Sequence, residues 1–113
     1  MLHELTIYQK HYDLMLYALP IIAKYPKHLR FTLGQQTMDC LLEIGRLIVR
    51  ANQERDRRST QMEIDQKLEE LRLLTRLATD LNLLTVRHYG LINERVTEIG
   101  RLLGGWIKSA AKK

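Results

Sequence analysis

The side chains in this chain with the most chemical potential are guanidinium groups repeated at helical intervals. Arg46, Arg50 and Arg57 line one face of a helix with Arg58 beside them, and Arg72 and Arg76 stand one turn apart. Arg87, Arg101 and Lys108 share a face at multiples of seven, interrupted by Glu94. A guanidinium is always charged, and its planar fork engages two phosphate oxygens at once. Rows of such groups bind polyanions electrostatically, in a salt-sensitive way that carries no sequence preference. Aromatics able to stack on bases do not accompany them, because Tyr8, Tyr12 and Tyr89 fall on apolar seams. The pattern therefore favours the backbone of a duplex or hybrid over an unpaired strand. The competing outcome is an ion pair within the chain, worth about 0 to 1 kcal/mol at a surface. Arg46 with Glu43, and Arg76 with Glu69 or Asp80, are spaced for it.

Other chemistries lack their residues. Carboxylate-bridged metal bundles need Glu-x-x-His pairs, which put two ligands one turn apart on an inward face. The residues three before His11, His28 and His88 are Tyr8, Tyr25 and Thr85. There is no His-Glu-x-x-His, Cys-x-x-Cys, phosphate loop or haem-attachment motif in the sequence. Neither catalysis nor a metal, cofactor or small-molecule substrate is expected. The single Cys40 excludes an intrachain disulfide, fits a reducing compartment and reads as a small core residue. Eighteen Lys and Arg against thirteen Asp and Glu give a formal net charge of +5, which suits polyanion partners and equally serves solubility. Glu4 comes early and no continuous apolar h-region follows, so a secretory signal is not expected. The most apolar run, Leu14 to Ala23, falls far short of the ~20 residues that span a bilayer. A cytoplasmic protein without a membrane partner is the expectation.

The elements that must position these residues are helices. At 113 residues the chain is long enough for one core, so residues 1–113 are read as a single domain. Hydrophobic periodicity predicts helices over about 4–24, 32–55, 61–81 and 86–109. In the second, Thr37, Leu41, Ile44, Ile48 and Ala51 form a narrow seam, and Met38, Cys40, Leu42, Leu47 and Val49 widen it. In the third, Ile64, Leu68, Leu71, Thr75 and Ala78 recur, with Leu74, Leu77, Leu81 and Leu84 adjoining; Ser59 or Thr60, with Glu63, would cap its start. In the fourth, Tyr89, Ile92, Val96, Ile99 and Leu103 keep the cleanest register, while Gly100, Gly104 and Gly105 permit close backbone approach or a fraying end. The first helix carries two seams, one through Leu5, Tyr8, Tyr12, Met15, Leu19 and Ile22, the other through Ile7, Leu14 and Ile21; Pro20 kinks it or loosens its last turn, and Tyr25-Pro26-Lys27 ends it. Short links between helices of this length predict an all-α, antiparallel up-down-up-down four-helix bundle.

Apolar stripes beyond what one core absorbs imply self-association. Ile7, Leu14, Ile21, Met38, Leu42 and Trp106 are the candidate interface residues.

The stretch HELTIYQKHYDLMLYALPIIAKYPKHLRFTLGQQ, followed by LLEIGRLIVRANQERDR, resembles the four-helix-bundle family that includes the accessory variability determinant of diversity-generating retroelements and the ribosomal intervening-sequence proteins. Nearly the whole chain follows the pattern. Its most specific pieces are the aromatic-rich first helix, the Tyr25-Pro26-Lys27 stop, the Phe31-x-Leu33-Gly34-Gln35-Gln36 lead-in to helix two and the arginine-bearing helix after it. The intervening-sequence relatives carry an Asn-Ile-Ala-Glu-Gly type stretch at the end of helix two. Here that place reads Val49-Arg50-Ala51-Asn52-Gln53-Glu54, which favours the accessory determinant. The resemblance implies a homopentameric barrel with a positive surface that binds RNA or DNA and associates with a reverse transcriptase during error-prone cDNA synthesis. Five copies would raise the charge to about +25 per assembly. On that reading Arg46, Arg50, Arg57, Arg58, Arg72, Arg76, Arg87, Arg101 and Lys108 contact nucleic acid or the polymerase. The alternative is a structural protein-interaction bundle without affinity for nucleic acid.

Overall fold

Thr37, Leu41, Ile44, Ile48 and Ala51 are each essentially inaccessible to solvent, and the rest of the fold closes around this seam. The computed structural model describes residues 2–111, with side chains from 5 to 109. Four long helices carry the chain: α1 (Leu2–Ile22), α2 (Gln35–Gln53), α3 (Arg58–Asp80) and α4 (Val86–Ala111). No strand occurs among the described residues. Each helix packs on two others, α1 on α2 and α4, and α3 on α2 and α4, as in a four-helix bundle. The molecule measures 48 × 23 × 19 Å.

Local chemistry sets the breaks. Pro20 lies inside α1, on its solvent side, and the helix ends two residues later. Amides of Lys24 and Tyr25 then reach back to the carbonyls of Ile21 and Ile22 in a tightened turn before extended Pro26. The chain enters α2 through a helical turn at Lys27–Leu29 and a π-helical turn at Arg30–Gly34. A Cβ on Gly34 would meet the Tyr25 ring at 3.3 Å, so the ring packs closely on the backbone there. Between α3 and α4, Asn82 adopts φ 63°, a left-handed conformation that its short polar side chain tolerates. The Leu83 amide bonds back to the Ala78 carbonyl at 2.8 Å, closing the helix end. Thr85 Oγ1 then accepts from the His88 amide at 3.0 Å and caps α4.

The start of α3 departs from the expected capping box. Thr60 sits inside the helix, buried, and its hydroxyl donates to Glu54, while Glu63 turns across to Arg50. Asp56 serves the helix start instead, accepting from the Arg58 amide at 3.3 Å.

The core corrects the reading of α1 and of the interface. Ile7 and Leu14 are 0% exposed and Trp106 is 2% exposed, so their side chains are spent inside the chain and have no area left for a second copy. Ile21 and Met38 are half-buried against the core, and Leu42 is exposed. The solvent-facing stripe of α1 takes Leu5, Tyr8 and Tyr12 from the other seam and adds Leu16, while Ile22 of that seam is buried and Met15 and Leu19 pack against the core.

Candidate nucleic-acid interface

The cationic residues separate by helix. On α2, Arg46 pairs with Glu43 at 3.2 Å, and Arg50 donates to both carboxylate oxygens of Glu63 on α3 at 3.2 Å. On α3, Arg72 pairs with Glu69, and Arg76 lies 3.9 Å from Asp80. Arg58 holds Asp56 in a two-point contact that also pulls the Asp56 carboxyl below its usual range. Arg57 is engaged in the link: its guanidinium donates to the Glu54 carbonyl at 3.2 Å and lies 5.4 Å from the Trp106 ring centroid.

The α4 row differs. Arg87, Arg101 and Lys108 are exposed and meet no carboxylate among the described residues. Arg87 and Arg101 stand ~21 Å apart along the axis, and Lys108 a further ~10 Å on, at 1.5 Å per residue. Glu94 falls between them, as the sequence indicates, and Glu98 is drawn off to Lys10 of α1 at 3.4 Å. Of the nine cations singled out by spacing, these three are the ones whose charge is directed at solvent without a carboxylate beside it.

The acids of α2 and α3 explain the asymmetry. An open groove of about 470 Å³ between these helices is lined by Asp39, Glu43, Glu63 and Glu70 as well as Arg46 and Lys67. Lys67 holds Glu70 at 3.1 Å. Cys40 lies at the groove but is buried; its thiol donates to the Lys67 carbonyl at 3.3 Å, and burial pushes its pKa up to about 11. It is a packed side chain and a poor nucleophile.

Two features escaped the periodicity. The outward stripe on α1 is one: Tyr8 and Tyr12 stack with centroids 6.3 Å apart, flanked by Leu5 and Leu16, which are 64% and 61% exposed. Spacings of three and four were visible for most of it, but nothing in a helix that is apolar all round says which side faces the core. Exposed Phe31, with the Arg30 guanidinium 5.5 Å from its ring centroid, is the other.

Within the core, His11 is 1% exposed, and its Nε2 lies 2.7 Å from the Leu41 carbonyl, a contact that requires a proton on Nε2. Its Nδ1 has no partner, and burial lowers the imidazole pKa. No cluster of three or more His, Cys, Asp or Glu suited to a metal exists among the described residues, and none of their helices is long and apolar enough to cross a membrane.

The family model described as bAvd-like matches residues 5–110, nearly the full length of the chain and all four helices. The chain belongs to the bAvd-like family. The family is that of the accessory variability determinants, as the lead-in to α2 and the arginine-bearing helix indicated. No curated protein matches the chain. In this bAvd-like chain the apolar stripe of α1 and the cationic row of α4 occupy neighbouring helices, because α1 packs directly on α4.

Proposed function

We propose that this bAvd-like chain is a non-enzymatic accessory protein of a diversity-generating retroelement. It folds over residues 1–113 as one up-down-up-down bundle, self-associates as a pentamer in the cytoplasm, and binds RNA or DNA and the element's reverse transcriptase to support mutagenic cDNA synthesis. The observation that carries the nucleic-acid part is the unpaired cationic row Arg87, Arg101 and Lys108 on α4. Repeated by symmetry, such rows add many weak phosphate contacts into one strong attachment. The surface for self-association is the outward stripe Leu5, Tyr8, Tyr12 and Leu16, which replaces the buried residues expected from spacing. A stripe of this kind on a soluble bundle marks an interface.

Binding of labelled random duplex and RNA across a salt series tests the reading. Affinity falling by decades between low and moderate salt supports it, and no binding at low salt discards it. Native mass gives the stoichiometry independently, and a monomer would remove the oligomer from the proposal.

A second reading is favoured by a different observation. Arg46, Arg50, Arg58, Arg72 and Arg76 are all held by carboxylates of the same chain. A structural interaction bundle without nucleic-acid affinity would look this way over α2 and α3. It predicts an oligomer that forms normally and leaves polyanions in solution at every salt concentration.

A further inference from the structure

The turn joining α1 to α2 carries a chemistry distinct from the α4 row. From Leu14 to Met38 the sequence contains no Asp or Glu, yet Lys24, Lys27 and Arg30 lie within that stretch. None of the three meets a carboxylate among the described residues. Arg30 donates one N–H to the Ala23 carbonyl at 3.4 Å, which turns its guanidinium back over the turn. The next residue, Phe31, is 66% exposed, with Arg30 5.5 Å from its ring centroid. An aromatic this open normally finds cover.

Its backbone is firmly seated. Leu33 and Gly34 are buried, Tyr25 packs beneath them, and the amides of Leu29 and Arg30 both bond to the Pro26 carbonyl, at 2.9 and 2.8 Å. The π-helical turn at Arg30–Gly34 inserts an additional residue into the winding, a feature that recurs at functional sites. The ring is thus presented from a fixed base. The same end of the molecule gains Arg87, because its neighbour His88 meets Tyr17 of α1 edge-on at a centroid distance of 6.1 Å.

We propose that this turn is a stacking site for single-stranded nucleic acid, in which an unpaired base lies on Phe31 and the flanking phosphates are met by Lys24, Lys27 and Arg30. It rests on the reading that the chain binds nucleic acid, and it adds a ligand class that the α4 row does not serve. A duplex keeps its bases stacked on one another and has no free face to offer. A single strand has both an open base and a phosphate on either side, which matches one exposed aromatic with Arg30 against it and two exposed lysines on the same turn. An anionic membrane surface would match the charge, but one ring on a short turn supplies little of the apolar area that interfacial binding requires.

Affinity for a labelled oligo-uridine and for a duplex of equal length, measured at low salt on wild type, Phe31→Ala and Phe31→Trp, tests the site. The expected result is a single-strand affinity about tenfold weaker in Phe31→Ala and restored in Phe31→Trp, with duplex affinity changed by less than about twofold. A 2-aminopurine placed in the strand is expected to be quenched by wild type and not by Phe31→Ala. Unchanged single-strand binding in Phe31→Ala, or an equal loss for both ligands, overturns the stacking site while leaving the wider nucleic-acid reading intact. Failure of wild type to bind either ligand removes both. Phe31-dependent association with phosphatidylserine vesicles without strand binding also overturns it, in favour of a membrane surface. Far-UV circular dichroism on each variant separates loss of binding from loss of fold.

Discussion

The outer faces of α1 and α4 are neighbours built for opposite solvents. On α1, Leu5, Tyr8, Tyr12 and Leu16 run outward, opposite a core face of Ile7, Leu14, Ala18 and Ile22. On α4, the outward positions hold Arg87, Asn93, Glu94, Thr97, Arg101 and Lys108 over a core face of Ile92, Val96, Ile99 and Leu103. Both helices contribute equally well-buried inner faces. Their difference teaches that the core fixes only half of each helix, and that the other half is free to specify what the molecule meets. An apolar outer face calls for a partner surface that excludes water, whereas a charged one calls for counter-ions.

Substitutions two residues apart on α1 break that comparison most sharply. Leu14→Ala is expected to cost about 2–5 kcal/mol of folding stability, through lost burial and an unfilled cavity. Leu16→Ala should leave the isolated subunit within about 0.5 kcal/mol of wild type, while Leu16→Glu weakens any assembly that uses the stripe. Chemical denaturation reads the first pair, and native mass reads the last.

The charged face is tested next. Arg87→Gln with Arg101→Gln should weaken binding to random duplex by roughly tenfold or more at low salt and reduce the salt slope by about two. Arg46→Gln with Arg72→Gln removes cations already occupied by Glu43 and Glu69, so its effect on the same assay should be smaller. If the two double variants are equivalent, the distinction between α4 and the α2–α3 pair is wrong.

A pH series probes the inner side of α1. Burial holds the His11 pKa below its ordinary 6.5, so the unfolded chain takes up a proton more readily than the folded one. Stability from this residue is therefore intact at neutral pH and is lost as pH falls below about 6.5 towards the lowered folded value. His11→Gln keeps an N–H for the Leu41 carbonyl and should flatten that dependence. Denaturation midpoints at pH 7.5 and 5.5 check it.

The smallest effects concern the glycines of α4. A Cβ on Gly90 or Gly104 would meet nothing within 4 Å, so neither makes a close approach inside the chain. Gly90→Ala and Gly104→Ala should each stabilise the subunit by about 0.5–1 kcal/mol. A loss of assembly in either would indicate that this face lies tight against another surface.

Much of the fold could be read from residue order. The main seams of α2, α3 and α4 point where spacing places them, because their apolar residues recur on one face, while apolar residues off that face, such as Leu42, Val49, Leu73 and Leu77, are left exposed. On α1 the same arithmetic does not choose: Ile7, Leu14 and Ile22 go inside and Leu5 and Tyr8 go outside, since two apolar stripes are interchangeable until α2 and α4 choose between them. Pairings close in sequence, such as Arg46 with Glu43, follow from helical geometry. Arg50 with Glu63 does not, because it depends on how α2 lies against α3. That packing occupies Arg50, whereas Arg87 and Arg101 of the α4 row meet no carboxylate among the described residues.

Trp106 is the sole tryptophan of the sequence, and it lies buried near the end of α4 against the guanidinium of Arg57 from the α2–α3 link. Its emission is consequently a built-in gauge of one joint. Without any label, a red shift ahead of the loss of helical signal would report that the tail of α4 lifts from the link before the remaining helices part.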